Sequence, residues 1–312
     1  MKILVTGGAG FIASHVADKY VEQGHDVIVV DDLSRGFESN LNPKARFYRG
    51  DILDRPFLES VFEQEHPDAI NHHAAQMDVR RGVREPVFDA SVNIIGSIHL
   101  LDLAVQHKVK RFIYIASAGA GYGEPKVVPV SEDYPINPIT PYGISKHTIE
   151  HYLFTYSFLY GLPYVVLRYG NVYGPRQSSK GEAGVFAIFA EQMIAGVQPV
   201  IYGDGSKVRD YVYIQDVVEA NAAALEKGDG QIFNIGSGTP TTDQEVFDSV
   251  RDLLGVNVQA RYTAVRPGEI QQIVLDISKA KHLLGWSPEV SLAEGSRQTV
   301  AFFLSGTASP VR

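Results

Sequence analysis

The chain has 312 residues, of which 45% are hydrophobic and 21% are charged, which is the composition of an ordinary globular protein. Its net charge of −8 leaves no basic footprint for nucleic acid, and the lack of cysteine excludes disulfides and thiolate zinc sites. No cationic leader precedes an apolar segment, and no run of eighteen apolar residues occurs. We therefore expect a soluble, cytoplasmic protein that has neither nucleic acid nor a membrane as its partner.

The first part of the chain predicts a dinucleotide-binding unit. An apolar strand, a glycine-rich turn, a helix and a second strand follow one another at residues 2–5, 6–13, 11–21 and 26–30. The second strand ends in Asp31, which lies 21 positions after Gly10. In this layout the glycines permit a tight turn, the helix N-terminus attracts pyrophosphate, and the carboxylate binds the adenosine ribose. A carboxylate at position 31 repels a 2′-phosphate and favours NAD over NADP, a preference that Arg35 could soften.

Strand and helix patterns alternate through the rest of the first half, as in a parallel sheet with crossover helices. A helix, a strand, a long helix, a strand, a helix and a strand are predicted near residues 55–65, 68–72, 88–107, 111–116, 142–160 and 164–168. From about residue 172 the pattern is less regular. A polar loop at 177–184, predicted to move over the site, precedes helices near 185–196, 215–226, 242–253 and 291–304.

Three polar residues form a candidate acid/base device. Tyr142 and Lys146 are four residues apart in a predicted helix, so the phenol and the ammonium share one face. The positive charge would favour phenolate and lower the phenol pKa from roughly 10 toward the working pH. Ser117 follows the strand at 111–116, and its hydroxyl could share the proton of a bound alcohol. Such a device removes a proton from an alcohol while hydride leaves the same carbon.

These residues together resemble the extended short-chain dehydrogenase/reductase family and, within it, the UDP-glucose 4-epimerases. The resemblance covers nearly the whole chain, in segments that begin at Thr6, His72, Asn93, Ser117, Tyr142, Leu167, Arg209, Phe233, Arg266 and Leu284. It implies an α/β fold, a doubly wound Rossmann-type parallel sheet with a smaller C-terminal α/β substrate-binding lobe. The implied division is an NAD-binding domain at 1–171, with return segments from the C-terminal half, and an interleaved nucleotide-sugar lobe at 172–312.

The same resemblance implies where the ligands bind. The cofactor NAD would contact Gly7, Gly10, Phe11, Ile12, Asp31, Asp32, Asp51, Ile52, His73, Ala74, Ala75, Asn93, Tyr142, Lys146 and Tyr169. The UDP-sugar would contact Ser117, Tyr142, Asn171, Val185, Tyr202, Arg209, Arg266 and Glu269. Two arginines can hold a diphosphate bidentately in an otherwise acidic protein. Alternatively, Arg209 pairs with Asp210 or Asp204, Arg266 is a solvated turn residue, and Asp51 and Asn93 cap a turn or a helix.

The activity implied is interconversion of UDP-glucose and UDP-galactose. Tyr142 would take the proton of the sugar 4-hydroxyl while hydride passes from C4 to NAD, and the 4-keto sugar would receive the hydride on its opposite face. Ser117 would orient the 4-oxygen, and Lys146 would also bind the nicotinamide ribose. Because there is no net redox change, NAD would stay bound.

Two alternative functions stay open. One is epimerisation of a UDP-N-acetylhexosamine or a UDP-uronate: Ile273, at a position that borders the sugar in relatives, would leave room for an N-acetyl group, and Arg80 or Arg81 could bind a carboxylate. The other is a non-catalytic NAD-binding sensor or scaffold, which would have no reason to keep the acid/base residues in register. His73 stands where relatives have an apolar residue, so its charge could make cofactor affinity depend on pH.

Two further features concern metal and assembly. His147 and His151 match the HxxEH pattern of a zinc-peptidase helix, but no third ligand follows downstream, so we predict no metal. The helices near 88–107 and 142–160 are apolar beyond what one face requires. In relatives this pair forms a dimer interface, which implies a homodimer here; the alternative is burial within one subunit.

Overall fold

A computed structural model describes residues 1–179, 184–266 and 269–306 of the chain. Within them the strands are β1 (Lys2–Thr6), β2 (Asp26–Asp31), β3 (Arg46–Arg49), β4 (Ala69–His72), β5 (Arg111–Ser117), β6 (Tyr164–Tyr169), β7 (Asn171–Tyr173), β8 (Val200–Tyr202), β9 (Val208–Tyr213), β10 (Gln231–Ile235), β11 (Pro240–Thr242) and β12 (Arg261–Thr263). The helices are α1 (Phe11–Glu22), α2 (Arg55–Glu65), α3 (Val79–Arg84), α4 (Pro86–Ala90), α5 (Gly96–Gln106), α6 (Ala118–Tyr122), α7 (Pro141–Tyr160), α8 (Val185–Ile194), α9 (Ile214–Ala224), α10 (Asp243–Leu254) and α11 (Leu292–Leu304).

Seven of the described strands form one parallel sheet in the order β10-β6-β5-β4-β1-β2-β3. Strand β1 shows why both faces are covered: Ile3 and Val5 pack into the core on one side of the sheet, and Leu4 packs into the core on the other. A strand buried on both faces is apolar throughout, as the sequence pattern indicates. The carboxyl ends of β1, β4 and β5 lie side by side, so the segments that follow them meet at one edge of the sheet.

Helix α7 begins and ends at strong local signals. The Thr140 side chain accepts a hydrogen bond from the backbone N–H of Gly143, and Pro141 occupies the first helical position, where its missing N–H costs no intrahelical bond. Gly161 ends the helix in the left-handed conformation. These signals place Tyr142 in the first turn of α7, against the end of β5.

A continuous helical run from Pro86 to Gln106 joins α4 to α5 through a π-helical turn at Ser91–Ile95. This run is long and apolar enough to cross a membrane by length and composition alone, and 44% of its most apolar window is buried inside the protein. Asn93 and Ser97 point inward from it and are almost fully buried. π-Turns are frequent at functional sites, and this one directs the Asn93 amide to the backbone of Gln76.

The later part of the chain forms two small sheets and contributes β10 to the large one. Strand β9 pairs with β7 in parallel and with β11 in antiparallel fashion, and β8 pairs with β12. Helix α10 starts with a capping box, in which Thr242 and Glu245 each bind the backbone N–H of the other. Edge-to-face packing of Phe189 against Phe247 joins α8 to α10.

Most predicted elements coincide with the observed ones, and the predicted fold class is confirmed. The sequence pattern does not predict strand β3 or the short helices α3 and α6. The predicted mobile loop at 177–184 is described only at its ends, and residues 180–183 lie outside the described part of the chain. At its start, the Gln177 side chain donates to the carbonyl oxygen of Val172 at 2.8 Å.

Candidate active site

The turn between β1 and α1 depends on glycine at two positions. Gly7 has φ +70°, and a Cβ there would lie 2.8 Å from the backbone nitrogen of Ala74. At Gly8 a Cβ would lie 2.6 Å from a methyl carbon of Val29. Gly10 precedes α1 without a capping side chain, so the first N–H groups of the helix are available to an anion. The turn is thus shaped for a pyrophosphate at the start of α1, where Phe11 and Ile12 stand.

Asp31 ends β2 beside this turn. Its carboxylate accepts hydrogen bonds from the backbone N–H groups of Ala9 at 3.0 Å and Leu33 at 2.8 Å. Burial raises the pKa of Asp31, and the two backbone bonds act in the opposite direction. Arg35, which could soften the preference for NAD, lies 3.6 Å from the Asp78 carboxylate. This geometry fits the ribose of NAD better than the phosphorylated ribose of NADP.

Three more residues predicted to bind the cofactor, Asp32, Asp51 and Ile52, form contacts with other parts of the protein. The Asp32 carboxylate accepts from the backbone N–H and the hydroxyl of Ser34. The exposed Asp51 accepts from the backbone N–H of Leu53 at 2.9 Å, which is the turn-cap alternative. Ile52 is buried against α5, where a Cβ at Gly96 would lie 2.7 Å from its side chain.

A hydrogen-bond chain joins the ends of β1 and β4. The Thr6 hydroxyl lies 2.7 Å from Nδ1 of His72, and Nε2 of His72 lies 2.8 Å from the Ser97 hydroxyl. Thr6 also accepts from the backbone N–H of Ala74 at 3.2 Å. Because Ala74 touches the glycine turn and Ala75 follows it, this chain fixes one side of the predicted cofactor site.

Ser117, Tyr142 and Lys146 come together at the carboxyl end of β5. Ser117 is the last residue of β5, and its hydroxyl lies near enough to the Tyr142 phenol to lower the pKa of that phenol. Lys146 is 5% exposed and donates from Nζ to the carbonyl oxygen of Ile115 at 2.9 Å. The Nζ atom also lies 4.9 Å from the centre of the Tyr114 ring. Residues far apart in sequence thus meet as predicted.

The protonation state of this group differs from the sequence-based expectation. Burial, followed by the charge of Asp89, raises the pKa of Tyr142 to about 12, while the nearby Ser117 hydroxyl acts in the opposite direction. Burial lowers the pKa of Lys146 to about 8. The expectation that Lys146 lowers the phenol pKa is therefore wrong for the protein on its own. Burial of the phenol is the largest cause of the rise in its pKa.

Asp89 belongs to this group and escapes sequence reasoning. It is fully buried, and its carboxylate accepts from the Ser145 hydroxyl at 2.7 Å and from Nε2 of Gln76 at 3.0 Å. Gln76 is held in turn by Asn93, whose side chain binds both its backbone N–H and its carbonyl oxygen. In the sequence, an acidic residue in a short helix resembles an exposed surface residue, so Asp89 is not predicted to lie in the site. The sequence offers one local indication, which is that Ser145, the hydrogen-bond donor to Asp89, directly precedes Lys146.

His73 lies between the glycine turn and β6. Its Nε2 is 3.4 Å from the Tyr169 hydroxyl, which also accepts from the Asn221 amide at 2.6 Å. Nδ1 of His73 is buried without a hydrogen-bond partner. Burial, and then the charge of Lys146, lowers the pKa of His73 to about 3. The imidazole is therefore neutral near neutral pH, and we expect NAD retention to show no titration of His73 from about pH 5.5 to 8.

The neutral imidazole of His73 should instead affect folding. A histidine kept neutral in the folded state binds a proton on unfolding once the pH is below its ordinary pKa of about 6.5. Its contribution to stability is intact above that pH and is lost as the pH falls toward 3. We expect His73→Phe to reduce, by about 1 kcal/mol, the drop in unfolding free energy between about pH 7.5 and 5.5 in urea titrations.

The exposed His282 supplies the control for this experiment, because His282→Gln should leave the acid-induced drop unchanged. An equal drop in the wild type and in His73→Phe would contradict the neutral state of His73.

A second group of charged side chains gathers near the ends of β8 and β12. The guanidinium carbon of Arg266 lies 3.3 Å from the centre of the Tyr202 ring, and Nη1 of Arg266 lies 3.6 Å from Glu269. Nζ of Lys207 lies 3.2 Å from Glu269 and 3.0 Å from Asp243. The predicted residues Tyr202, Arg266 and Glu269 therefore meet, so Arg266 is not a solvated turn residue. Lys207 joins them without having been predicted.

Arg209 approaches this group along β9. Its guanidinium donates to the carbonyl oxygens of Val208 at 2.9 Å and Ile270 at 2.6 Å. The alternative that Arg209 pairs with Asp210 is wrong, because the Asp210 carboxylate binds backbone N–H groups, those of Ser237, Gly238 and Leu275. Asn171, half-buried, begins β7 beside β9, and Val185, also half-buried, begins α8. A guanidinium that is positioned by carbonyl oxygens can bind a diphosphate.

The HxxEH pattern lies on α7 and is occupied by other contacts. His147 is 2.9 Å from Glu150, and its Nε2 is 3.1 Å from Nε2 of His151. The Glu150 carboxylate also forms a buried ion pair with Arg168 at 2.6 Å. In the residues that the structure describes, no group of three or more His, Asp or Glu side chains is arranged to hold a metal ion.

The parallel sheet, the glycine turn, the carboxylate at the end of β2 and the Ser-Tyr-Lys group define an NAD-binding enzyme of the Rossmann type. Residues 3–236 match the model of the NAD dependent epimerase/dehydratase family. The chain belongs to this family.

Three solved structures similar to the chain are informative. UDP-glucose 4-epimerase of Thermotoga maritima, solved with UDP-glucose, is 50% identical, with a TM-score of 0.97 over 98% of this chain and 100% of its own. UDP-glucose 4-epimerase of Thermus thermophilus, solved with NAD, is 41% identical, with a TM-score of 0.94 over 97% and 99%. UDP-N-acetylglucosamine 4-epimerase of Methanobrevibacter ruminantium, solved with UDP-N-acetylmuramic acid, is 33% identical, with a TM-score of 0.93 over 98% of each chain. The predicted family, enzyme class and NAD cofactor are confirmed.

Proposed function

We propose that the protein is an NAD-dependent UDP-hexose 4-epimerase that interconverts UDP-glucose and UDP-galactose. The observation that carries this proposal is the meeting of Ser117, Tyr142 and Lys146 at the sheet edge that also carries the glycine turn. Lys146 lies close enough to His73 to lower its pKa, and His73 adjoins the Gly7 turn. The proton-transfer group and the predicted nicotinamide position are thus neighbours.

The chain's own residues account for the proton transfer. Ser117 orients the sugar 4-hydroxyl, and the Tyr142 phenolate takes its proton and later returns it to the same oxygen. When bound, NAD supplies a hydride acceptor that also returns the hydride, and a positive charge that favours the phenolate. Because the pKa of Tyr142 is raised to about 12 in the protein alone, the phenol stays protonated until the site is filled.

Lys146 and Asp31 would hold the cofactor at its two ends. With its pKa lowered to about 8, Lys146 is still largely protonated at neutral pH and can donate to the nicotinamide ribose. Asp31 would accept from the adenosine ribose, and the N-terminus of α1 would bind the pyrophosphate between them.

The sugar nucleotide would lie on the group formed around Arg266. In a chain with a net charge of −8, the cations Arg209, Arg266 and Lys207 supply the local positive field that a UDP-sugar needs. Tyr202 offers an aromatic face for the uracil, and Glu269 offers a carboxylate for the uridine ribose. We further propose that residues 1–171, completed by β10, form the cofactor domain and that 172–312 form the nucleotide-sugar lobe.

Direct assay tests this function. We expect purified protein to convert UDP-galactose to UDP-glucose without net change in nicotinamide absorbance, with products resolved by chromatography. UDP-N-acetylgalactosamine and UDP-galacturonate serve as parallel substrates. Binding of NAD without turnover of any of the three would instead support a sensor or scaffold.

A UDP-N-acetylhexosamine is the second candidate substrate, and Ile273 favours it. Ile273 is buried, and its backbone N–H binds the carbonyl oxygen of Val208, next to Arg209. Of the two arginines that could bind a uronate, Arg80 and Arg81, Arg81 already pairs with Glu85 and lies 3.9 Å from the centre of the Phe88 ring. If the protein clearly preferred the N-acetylated sugar in the assay, the UDP-N-acetylhexosamine and not UDP-galactose would be its substrate.

We also propose a homodimer through the outward side of α7. Phe154 and Phe158 there are 63% and 79% exposed, and Leu159 and Tyr160 beside them are also exposed. An apolar surface of this kind marks an interaction site. Val87 and Ile95, on the neighbouring run 86–106, are exposed as well.

Light scattering at micromolar concentration tests the dimer. The wild type should have twice the mass of the double variant Phe154→Glu/Phe158→Glu, because charges inserted into an apolar interface oppose association. Val197→Glu, at another exposed apolar residue, should leave the dimer intact. A monomeric wild type would contradict the proposal. The cytoplasmic location is an expectation from the sequence alone.

A further inference from the structure

We propose that Asp89 is a positioning residue of the reaction, a buried carboxylate whose charge sets the pH range in which Tyr142 and Lys146 work. The inference rests on the proposed epimerase function and adds a residue that does not itself touch the substrate.

The Asp89 carboxylate is enclosed by the protein. The side chain is 0% exposed, and its two hydrogen-bond donors, the Ser145 hydroxyl and the Gln76 amide, are both neutral. Helix α3 closes the remaining side, since a Cβ at Gly82 would lie 2.8 Å from a carboxylate oxygen. Because water is excluded around this carboxylate, its interactions with neighbouring groups are screened less than those of an exposed side chain.

The carboxylate is fixed relative to the catalytic helix. Ser145 lies between Tyr142 and Lys146 in the sequence of α7, so the 2.7 Å bond holds Asp89 against the turn that carries both groups. Gln76 completes the anchor, because Asn93 holds its backbone on the inner side of the π-turn. The distance from Asp89 to the catalytic pair is thus set by packing rather than by a flexible side chain.

The groups whose pKa is raised by the charge of Asp89 lie on two elements, α7 and β5. On α7 they are Tyr142 and Lys146, whose pKa values its charge raises, and on β5 Tyr114 experiences the same effect.

On α3 the charged side chains of Arg80, Arg81 and Arg84 are exposed, so water screens their interaction with Asp89. Arg81 pairs with Glu85, and the Asp78 side chain caps the helix by accepting from the N–H of Arg81. The field of Asp89 therefore acts chiefly on the catalytic pair.

The direction of the effect follows from the sign of the charge. A negative charge disfavours the phenolate of Tyr142 and favours the ammonium of Lys146, so both groups keep their protons to higher pH. Neutralising Asp89 should let both groups lose their protons at lower pH. If turnover needs phenolate and ammonium together, the two limbs of the pH profile move in the same direction.

The test is the pH profile of kcat in Asp89→Asn, which keeps the shape of the side chain and removes its charge. We expect both midpoints to fall by about one pH unit relative to the wild type, with KM for UDP-galactose changed less than about twofold. Ser145→Ala is the matched control: it removes one hydrogen bond and keeps the charge, so its midpoints should not move.

Gln76→Lys provides a second variant in case Asp89→Asn does not fold. It places an ammonium beside the carboxylate and so cancels its charge with Asp89 still present, which should lower both midpoints as well. Unmoved midpoints in Gln76→Lys and in any folded Asp89→Asn protein would overturn the inference. So would an equal shift in Ser145→Ala, because the effect would then be structural.

A measurement without turnover separates this inference from the proposed function. If the wild type fails to epimerise any UDP-sugar, the proposed function falls, but the pH at which the Lys146 ammonium loses its proton can still be followed by NMR of protein labelled with ¹⁵N-lysine, in which Lys146→Met assigns the signal. A lower midpoint in Asp89→Asn or Gln76→Lys than in the wild type would sustain the role of the charge. An unchanged midpoint would end it.

Discussion

Replacing Tyr142 with phenylalanine is expected to lower kcat for UDP-galactose by about 10³-fold or more, while the protein still folds and retains NAD. Phenylalanine fills the same buried space and lacks the one oxygen that can carry the proton. In the structure that oxygen faces Ser117, so its loss leaves the core unchanged. Steady-state kinetics, the NAD content of denatured protein and circular dichroism measure the three quantities.

Tyr156→Phe is the matched control for this experiment. Tyr156 lies on the same helix α7, and its hydroxyl binds Asp102, away from the catalytic group. Its replacement should leave kcat within about twofold of the wild type. If Tyr142→Phe kept more than a tenth of the activity, another residue would have to move the proton, and the assignment of Tyr142 as acid/base would be incorrect.

Gly7→Ala should have the largest effect on cofactor retention. At φ +70° an added methyl group is strained, and it would also lie 2.8 Å from the backbone nitrogen of Ala74, which has no room to move. We expect a loss of about 3 kcal/mol in unfolding free energy and at least a tenfold loss of bound NAD. Urea titration and cofactor quantification test both outcomes.

Gly24→Ala separates backbone strain from the close contact. Gly24 has φ +80°, similar to Gly7, but a Cβ there meets no atom within 4 Å. It should therefore cost about 1 kcal/mol of stability and leave NAD content unchanged. If the two variants lost the same stability and the same NAD, the approach of Ala74 to the glycine turn would have no part in cofactor binding.

The elements that the sequence predicts well are those whose signals are local. The glycines before α1, the acid after β2, and the Thr140 and Gly161 signals at the ends of α7 act on neighbouring residues. Their positions can therefore be read without knowing the rest of the fold. The acid/base residues can also be located from local patterns, because Ser117 ends a predicted strand and Tyr142 starts a predicted helix.

The features that the sequence does not predict arise from burial by distant segments. The pKa of Tyr142 is raised chiefly because the surrounding chain removes water from the phenol. Asp89 acquires its role only when α4 packs on α7, and Lys207 only when β9 lies beside the segment that contains Glu269. A four-residue spacing shows that two groups share a face; it does not show the dielectric environment of that face.

The pairing of β10 with β6 has a consequence for synthesis on the ribosome. Gln231–Ile235 forms the edge strand next to residues 165–169, so β6 lacks its neighbouring strand until about 235 residues have been made. Until then the apolar edge of β6 is exposed to other nascent chains, a state that invites aggregation. A chaperone that covers β6 at this stage should therefore reduce aggregation more for this protein than for one whose neighbouring strands follow one another in the sequence.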